Sequence, residues 1–293
     1  MLCNMCPRRC NVDRTNTLGV CTSSKEITVA RAVRHFWEEP CISGKKGSGA
    51  IFFSGCNLKC IYCQNYDISR CEKGKKLSRE EFQSLVLNIA KSDVDNINLV
   101  TPTHFTHQII SGLSEIKSEI KVPIVWNTSG YEASETLSML EGLVDIFLCD
   151  VKYYYESTSR GYSNASDYFD VTMKALKTML SISPRPIFGE NGMLKSGVIV
   201  RHLVLPFGKY EAEKILHEIL PYRNSLLLSL MHQYTPNEKV KDHRFLKHRT
   251  PTVTYTSVVR LAQELGFNGY TQDRSSAKSE YTPDFDESWD FTY

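Results

Sequence analysis

The 293-residue chain lacks any apolar run near the ~20 residues a membrane span needs; even SLLLSLM, at 225–231, falls far short. Nothing ahead of Cys3 has room for the basic, apolar and cleavage regions of a secretion signal, and no lipidation motif is present. An excess of one charge is missing too. With 35 Lys and Arg against 33 Asp and Glu the formal charge is +2, so neither nucleic acid nor an anionic membrane is an expected partner. At 41% hydrophobic and 23% charged residues, the composition excludes disordered and fibrous classes. What the chain does have is cysteine. Ten of them without a secretion signal point to a reducing, cytoplasmic setting, where clustered thiols hold metal more often than they form disulfides.

Apolar runs alternate with segments of helical period. AIFF at 50–53 precedes SREEFQSLVLNIAK, where Ser78 and Glu81 form a capping-box pattern and Phe82, Leu85, Val86 and Ile89 make one stripe. The alternation repeats with INLV and HQIISGLSEI, VPIVW and ASETLSMLEG, and LVDIFLC and ASDYFDVTMKALKTML; VIVRHLVL and EAEKILHEIL, then SLLLSLM and SVVRLAQELGF, complete it. Six strand–helix units imply a parallel sheet covered by helices, either a curved barrel or a doubly wound sheet, with chemistry at the carboxyl ends of the strands.

Those ends carry polar groups: three cysteines after the first strand, TPTH after the second, NTSG after the third, Asp150 and Lys152 at the fourth, and HQY after the sixth. A carboxylate and an ammonium ending an apolar run are costly to bury unless they serve a purpose. Arg201 and His202 lie within the fifth strand, where alternation turns them to opposite faces and no role follows. The triplet Cys56, Cys60 and Cys63, in GCNLKCIYCQN, is one ligand short of a closed zinc site, although Cys71 or Cys149 is available as a fourth. Three thiolates on a 4Fe-4S cluster leave one iron open to a substrate molecule. By contrast Cys3, Cys6, Cys10 and Cys21, in CNMCPRRCNVDRTNTLGVC, make a complete set of four, suited to zinc or to an auxiliary 4Fe-4S cluster. Cys41 and Cys71 read as ordinary thiols, and the basic run 237–249 as solvated surface.

CxxxCxxC behind the first strand, with Tyr62 just before the third cysteine, resembles the radical S-adenosylmethionine (SAM) enzymes. The longer stretch HFWEEPCISGKKGSGAIFFSGCNLKCIYCQN, with its leading CNMCPRRCNVDR, is similar to the branch related to pyruvate formate-lyase activating enzyme. The resemblance implies an α/β fold, a partial (β/α)6 TIM-like barrel. It also implies a 4Fe-4S cluster on Cys56, Cys60 and Cys63, and SAM reductively cleaved to methionine and a 5′-deoxyadenosyl radical that abstracts hydrogen. A low-potential donor such as flavodoxin or ferredoxin, and a glycyl-radical-type enzyme as protein substrate, come with it.

For SAM contacts, the resemblance carries over Tyr62, Asp150, Lys152 and His232. It places Thr101 and Thr103 where a Gly-Gly-Glu is usual, and Asn127 where an Asp is usual. The chain then divides into a Cys-rich metal-binding extension (1–48), a barrel (49–272) and a polar, acidic tail (273–293) that is disordered or folds over the barrel or a partner. Radical chemistry on a small molecule or RNA is the alternative activity. A zinc-binding adaptor, with both cysteine sets structural, is the alternative from another class.

Overall fold

The computed structural model describes residues 2–71, 73–272 and 285–293. Its strands are β1 (Ile27–His35), β2 (Ser48–Phe53), β3 (Lys75–Leu77), β4 (Asn96–Val100), β5 (Ile124–Thr128), β6 (Ile146–Asp150), β7 (Ile187–Phe188), β8 (Leu194–Leu203), β9 (Leu226–Met231) and β10 (Gly269–Thr271). Its α-helices are α1 (Tyr66–Ser69), α2 (Arg79–Lys91), α3 (Thr106–Ile116), α4 (Ser134–Leu137), α5 (Glu156–Ser163), α6 (Tyr168–Ile182), α7 (Lys209–Ile219) and α8 (Thr252–Glu264). The sheet runs β10-β9-β8-β6-β5-β4-β2-β1-β3, with β7 paired to β8 off this path. Its two ends do not meet, so the barrel is partial.

The six expected strands are β2, β4, β5, β6, β8 and β9, side by side and parallel in chain order. Each is largely buried on both faces because helices cover the outside and other residues of the chain fill the inside. The capping box expected at α2 is present: the Glu81 backbone N–H donates to Ser78 Oγ at 3.1 Å, and the Ser78 N–H to Glu81 Oε2 at 2.7 Å. Phe82, Leu85, Val86 and Ile89 are fully buried beneath it.

Four features depart from the sequence expectation. The third helix is a single α-turn, α4, followed by a 3-10 turn over 138–140. A short helix, α5, precedes α6. β10 adds a seventh parallel strand beside β9. The sheet also begins earlier than residue 49, since β1 pairs antiparallel with β2 and with β3. The boundary expected at 48/49 therefore falls inside a hairpin, and only residues 2–26 lie ahead of the sheet.

The loop at 36–47 between β1 and β2 folds into the barrel. Cys41 and Ile42 pack there against Val125, Ile146, Leu148, Ile199 and Leu227, and the Cys41 carbonyl accepts from the Leu194 N–H at 2.8 Å. Residues 285–293, the described part of the expected tail, lie on β1; positions 273–284 fall outside the described residues. Phe291 is buried in the main core, the Asp290 N–H donates to the Ala32 carbonyl at 3.0 Å, and Arg31 pairs with Glu287 at 2.7 Å. Among the described residues, no helix is long and apolar enough to cross a membrane.

Candidate active site: a cysteine-lined cleft at the strand ends

Strand register builds one wall of a cleft of about 520 Å³. Phe52 lies opposite Val100, Val100 opposite Asn127, Asp150 opposite Arg201, and Leu203 opposite Met231. All seven line the cleft. Neighbouring residues in register share a face of the pleat, so the carboxyl ends of β2, β4, β5, β6, β8 and β9 present one continuous inward belt.

Cys56, Cys60 and Cys63, in the loop after β2, line the same cleft, and Tyr62 lies between the last two. The loop is held by its backbone. Gly55, at φ +86, admits close approach of the segment before β1, since a Cβ there would stand 2.1 Å from Ser23 Oγ and 2.6 Å from the Cys21 carbonyl oxygen. Two of the sulfurs accept hydrogen bonds: Cys60 Sγ from Ser163 Oγ at 3.0 Å and Cys56 Sγ from the Leu58 N–H at 3.4 Å. Burial pushes the Cys63 thiol up to about 12 and raises that of Cys56, with neighbouring thiols of the triplet adding to both. Lys152 works against that rise at Cys56 and Cys63, and Cys60 in turn favours the charged form of Lys152. Three cysteines within eight positions that line one cleft with an ammonium, Lys152, are the donor set of a site that holds thiolates on a cationic cluster. The residues present fit a 4Fe-4S group.

Opposite the triplet stands a closed set of charges. Asp150 Oδ1 accepts from Arg201 Nε at 2.8 Å and its Oδ2 from Lys152 Nζ at 2.5 Å. Arg201 also donates to Glu38 Oε2 at 3.0 Å and to Asn127 Oδ1 at 2.6 Å, while Glu38 Oε1 accepts from Asn98 Nδ2 at 2.8 Å. Burial disfavours charge on Asp150, but the Arg201 guanidinium and the Lys152 ammonium outweigh it and hold the carboxyl below its ordinary range. The same balance, burial against Asp150 and Glu38, leaves Arg201 raised. Asp150, Lys152 and Arg201 each favour the charged form, and the bonds among them hold them in position to meet the polar parts of a bound molecule without reorganising.

The other sequence candidates divide. Thr101 lines the cleft at φ +59, a left-handed conformation that β-branched residues rarely adopt. Thr103 turns away: its hydroxyl donates to the buried Glu132 at 2.7 Å, where Thr128 and Trp126 also donate. His232 is outside the lining as well, stacked on Tyr255 with ring centroids 4.3 Å apart and Nε2 3.1 Å from the Thr250 carbonyl. Its neighbours Gln233 and Tyr234 line the cleft instead. Cys71 is exposed, and Cys149 packs between sheet and helices. Strand alternation sends His202 outward to the Val151 carbonyl, opposite to Arg201.

The amino-terminal thiols gather beside the triplet. Cys6 is raised to about 12, chiefly by burial, with Cys21 and Cys3 adding to the rise. A Cβ at Gly19 would stand 3.2 Å from Cys21 Sγ and 3.6 Å from Cys10 Sγ. All four are free thiols. Among the described residues, no three His, Cys, Asp or Glu side chains are grouped to hold a single metal ion; clusters of several irons, which spread their thiolates over different metal atoms, ask for a wider set.

Glu38 escaped the sequence reading. It sits in the β1–β2 loop, 163 positions from its partner Arg201, and its signal was only that the family-like stretch begins near it, at HFWEEP.

Residues 50–191 match the family model described as the Radical SAM superfamily. An uncharacterized protein of Methanocaldococcus jannaschii is 28% identical over 272 residues, covering 89% of this chain and 74% of that one. Among solved structures, a radical SAM methyltransferase from Sphaerobacter thermophilus superposes with TM-score 0.54 at 11% identity, covering 76% of this chain. The chain spans 65% of that methyltransferase's length. Spore photoproduct lyase superposes with TM-score 0.52 at 11% identity, covering 82% of this chain and 80% of the other. At such identities the two structures speak for the fold alone. The family match begins within β2 and takes in the whole cysteine triplet, so the chain carries a radical SAM domain, and the wall opposite its three thiols is the belt that β4 to β9 supply.

Proposed function

We propose that the cleft holds a 4Fe-4S cluster on Cys56, Cys60 and Cys63 together with SAM, and that the chain abstracts a hydrogen atom from a polypeptide substrate in the manner of a glycyl-radical activating enzyme. The observation that carries the reading is that three cysteines share one cleft with the Asp150, Lys152, Arg201 and Glu38 network. When bound, the cluster and SAM supply a low-potential electron and the power to take hydrogen from an unactivated C–H bond.

The protein's share is placement. Asp150, Lys152 and Asn127 offer a carboxylate, an ammonium and an amide to the polar groups of SAM, while Tyr62, Val100, Leu203 and Met231 offer apolar surface. The buried sulfurs and the ring cluster of Tyr62, Tyr153, Tyr168 and Tyr234 exclude water from the thiol side. For a polypeptide substrate, Trp37 lines the cleft while 53% exposed, beside Phe36 at 45%, an aromatic surface at the mouth suited to a protein partner. The matching reductant is a low-potential carrier such as a flavodoxin or ferredoxin.

A small-molecule substrate is the second reading. Phe285 favours it by adding a ring against Phe52 on the cleft wall, centroids 5.6 Å apart.

Replacing Cys60 with Ala in anaerobically reconstituted protein is expected to abolish SAM cleavage and the SAM-responsive EPR signal while sparing metal at the amino terminus. Retained cleavage would contradict the assignment. Deuterium from a copurifying polypeptide labelled with deuterated glycine is expected to appear in the released 5′-deoxyadenosine; deuterium arriving only from a labelled metabolite would favour the second reading.

A further inference from the structure

Residues 2–26 have no helix and no strand beyond an isolated bridge between Leu2 and Asp13. So short a segment, with few buried side chains, takes its shape from cross-links and from what it touches. What it touches is the triplet loop. The Cys56 N–H donates to the Cys21 carbonyl at 3.1 Å, joining the last cysteine of one set to the first of the other.

Arg8, between Cys6 and Cys10, makes the second tie. Its Nε donates to the Asn57 carbonyl at 2.7 Å, Nη2 to the Ser163 carbonyl at 2.9 Å, and Nη1 to the Asn164 carbonyl. The guanidinium also lies 5.1 Å over the Tyr131 ring, whose residue accepts from Asn57 Nδ2 through its carbonyl at 2.8 Å. Ser163 in turn donates to Cys60 Sγ and shares a 2.6 Å hydrogen bond with the Tyr153 hydroxyl. One planar cation thus joins the backbone just after Cys56 to the end of α5 that holds Cys60, a task for which the fork of an arginine suits and a lysine does not.

We propose that the amino-terminal segment is a metal-ordered brace: a second iron-sulfur cluster on Cys3, Cys6, Cys10 and Cys21 fixes Arg8 and the Cys21 carbonyl, and these hold the triplet loop in its cluster-binding shape. Arg8 is a positioning residue here and binds no metal itself. The inference rests on the reading that the triplet carries the 4Fe-4S cluster, and extends it by making that cluster's retention depend on the other site.

The test compares wild type, Arg8→Ala, Arg8→Lys and Cys6→Ser, each reconstituted anaerobically with iron and sulfide in the presence of zinc. Metal analysis comes first: near eight irons assigns a second cluster to the amino-terminal set, and near four irons, with or without bound zinc, overturns the brace. Release of triplet iron to a chelator is then followed by the visible spectrum and EPR. Arg8→Ala and Cys6→Ser are expected to lose it at least roughly tenfold faster than wild type, Arg8→Lys to fall between, and Arg8→Ala to keep its second metal. Equal release rates would overturn the brace and leave the triplet assignment standing. A wild type whose iron content is unchanged by Cys60→Ala would remove the assignment beneath it and the brace with it. Collapse of the near-UV spectrum in both Arg8 variants before any metal is added would show a plain packing role and overturn the brace.

Discussion

His202 illustrates what one buried side chain does to the pH response of the whole fold. Burial pushes it from an ordinary 6.5 to about 4, against the Val151 carbonyl, which favours its charged form. Below 6.5 the unfolded chain takes up a proton that the folded chain refuses until about 4, so this stability is present above 6.5 and drains away as pH falls toward 4. In urea titrations between pH 6.5 and 5, wild type is expected to lose about 2 kcal/mol more than His202→Gln, at ~1.4 kcal/mol per pH unit. A gap constant over that range would mean the ring is protonated in the fold. The same strand shows what was readable residue by residue. Alternation predicts that Arg201 and His202 face apart, yet which of them meets the cleft depends on Asp150 in the neighbouring strand and Glu38 in a distant loop. The triplet needed no such partner to be recognised, because its three ligands lie within eight positions, at 56, 60 and 63.

Among the elements, α2 is the one whose ends and face were both legible, since a capping box and an apolar stripe are local signals. Ser78→Ala removes one half of the reciprocal cap and is expected to cost about 1 kcal/mol, lowering the melting temperature by roughly 2 °C without changing iron content. No shift on calorimetry would mean the α2 terminus frays in solution. The six parallel strands were legible for a similar reason, each carrying a short and mainly apolar run. β1 was not: Arg31, Arg34 and His35 interrupt its apolar pattern, and each is accommodated by a neighbour far away in sequence, as Arg31 is by Glu287. Thr103 and His232 were placed by resemblance rather than by local physics. Their orientation follows from Glu132 and Tyr255, whose positions only the packed structure reveals.

For the molecule as a whole, residues 285–293 act as a strap across β1. Phe291 enters the main core at 7% exposure, Lys73 pairs with Asp286, and Lys75 lies 4.9 Å over the Trp289 ring. Phe291→Ala is expected to destabilise the protein by roughly 3 kcal/mol, read by urea denaturation, because a buried ring is lost from a packed site. A loss under 0.5 kcal/mol, the range of surface substitutions, would show that the strap detaches in solution. The sequence left open that the tail folds over the barrel but not where it lands, since the terminal segment is polar overall and its aromatics, Trp289, Phe291 and Tyr293, belong to no apolar run. The four ionised groups facing the triplet have a different consequence. Glu38 and Asp150 balance Lys152 and Arg201 in formal charge, so that wall adds no net charge to pull on a distant molecule, and entry is governed by contour and the direction of individual donors, with little sensitivity to ionic strength.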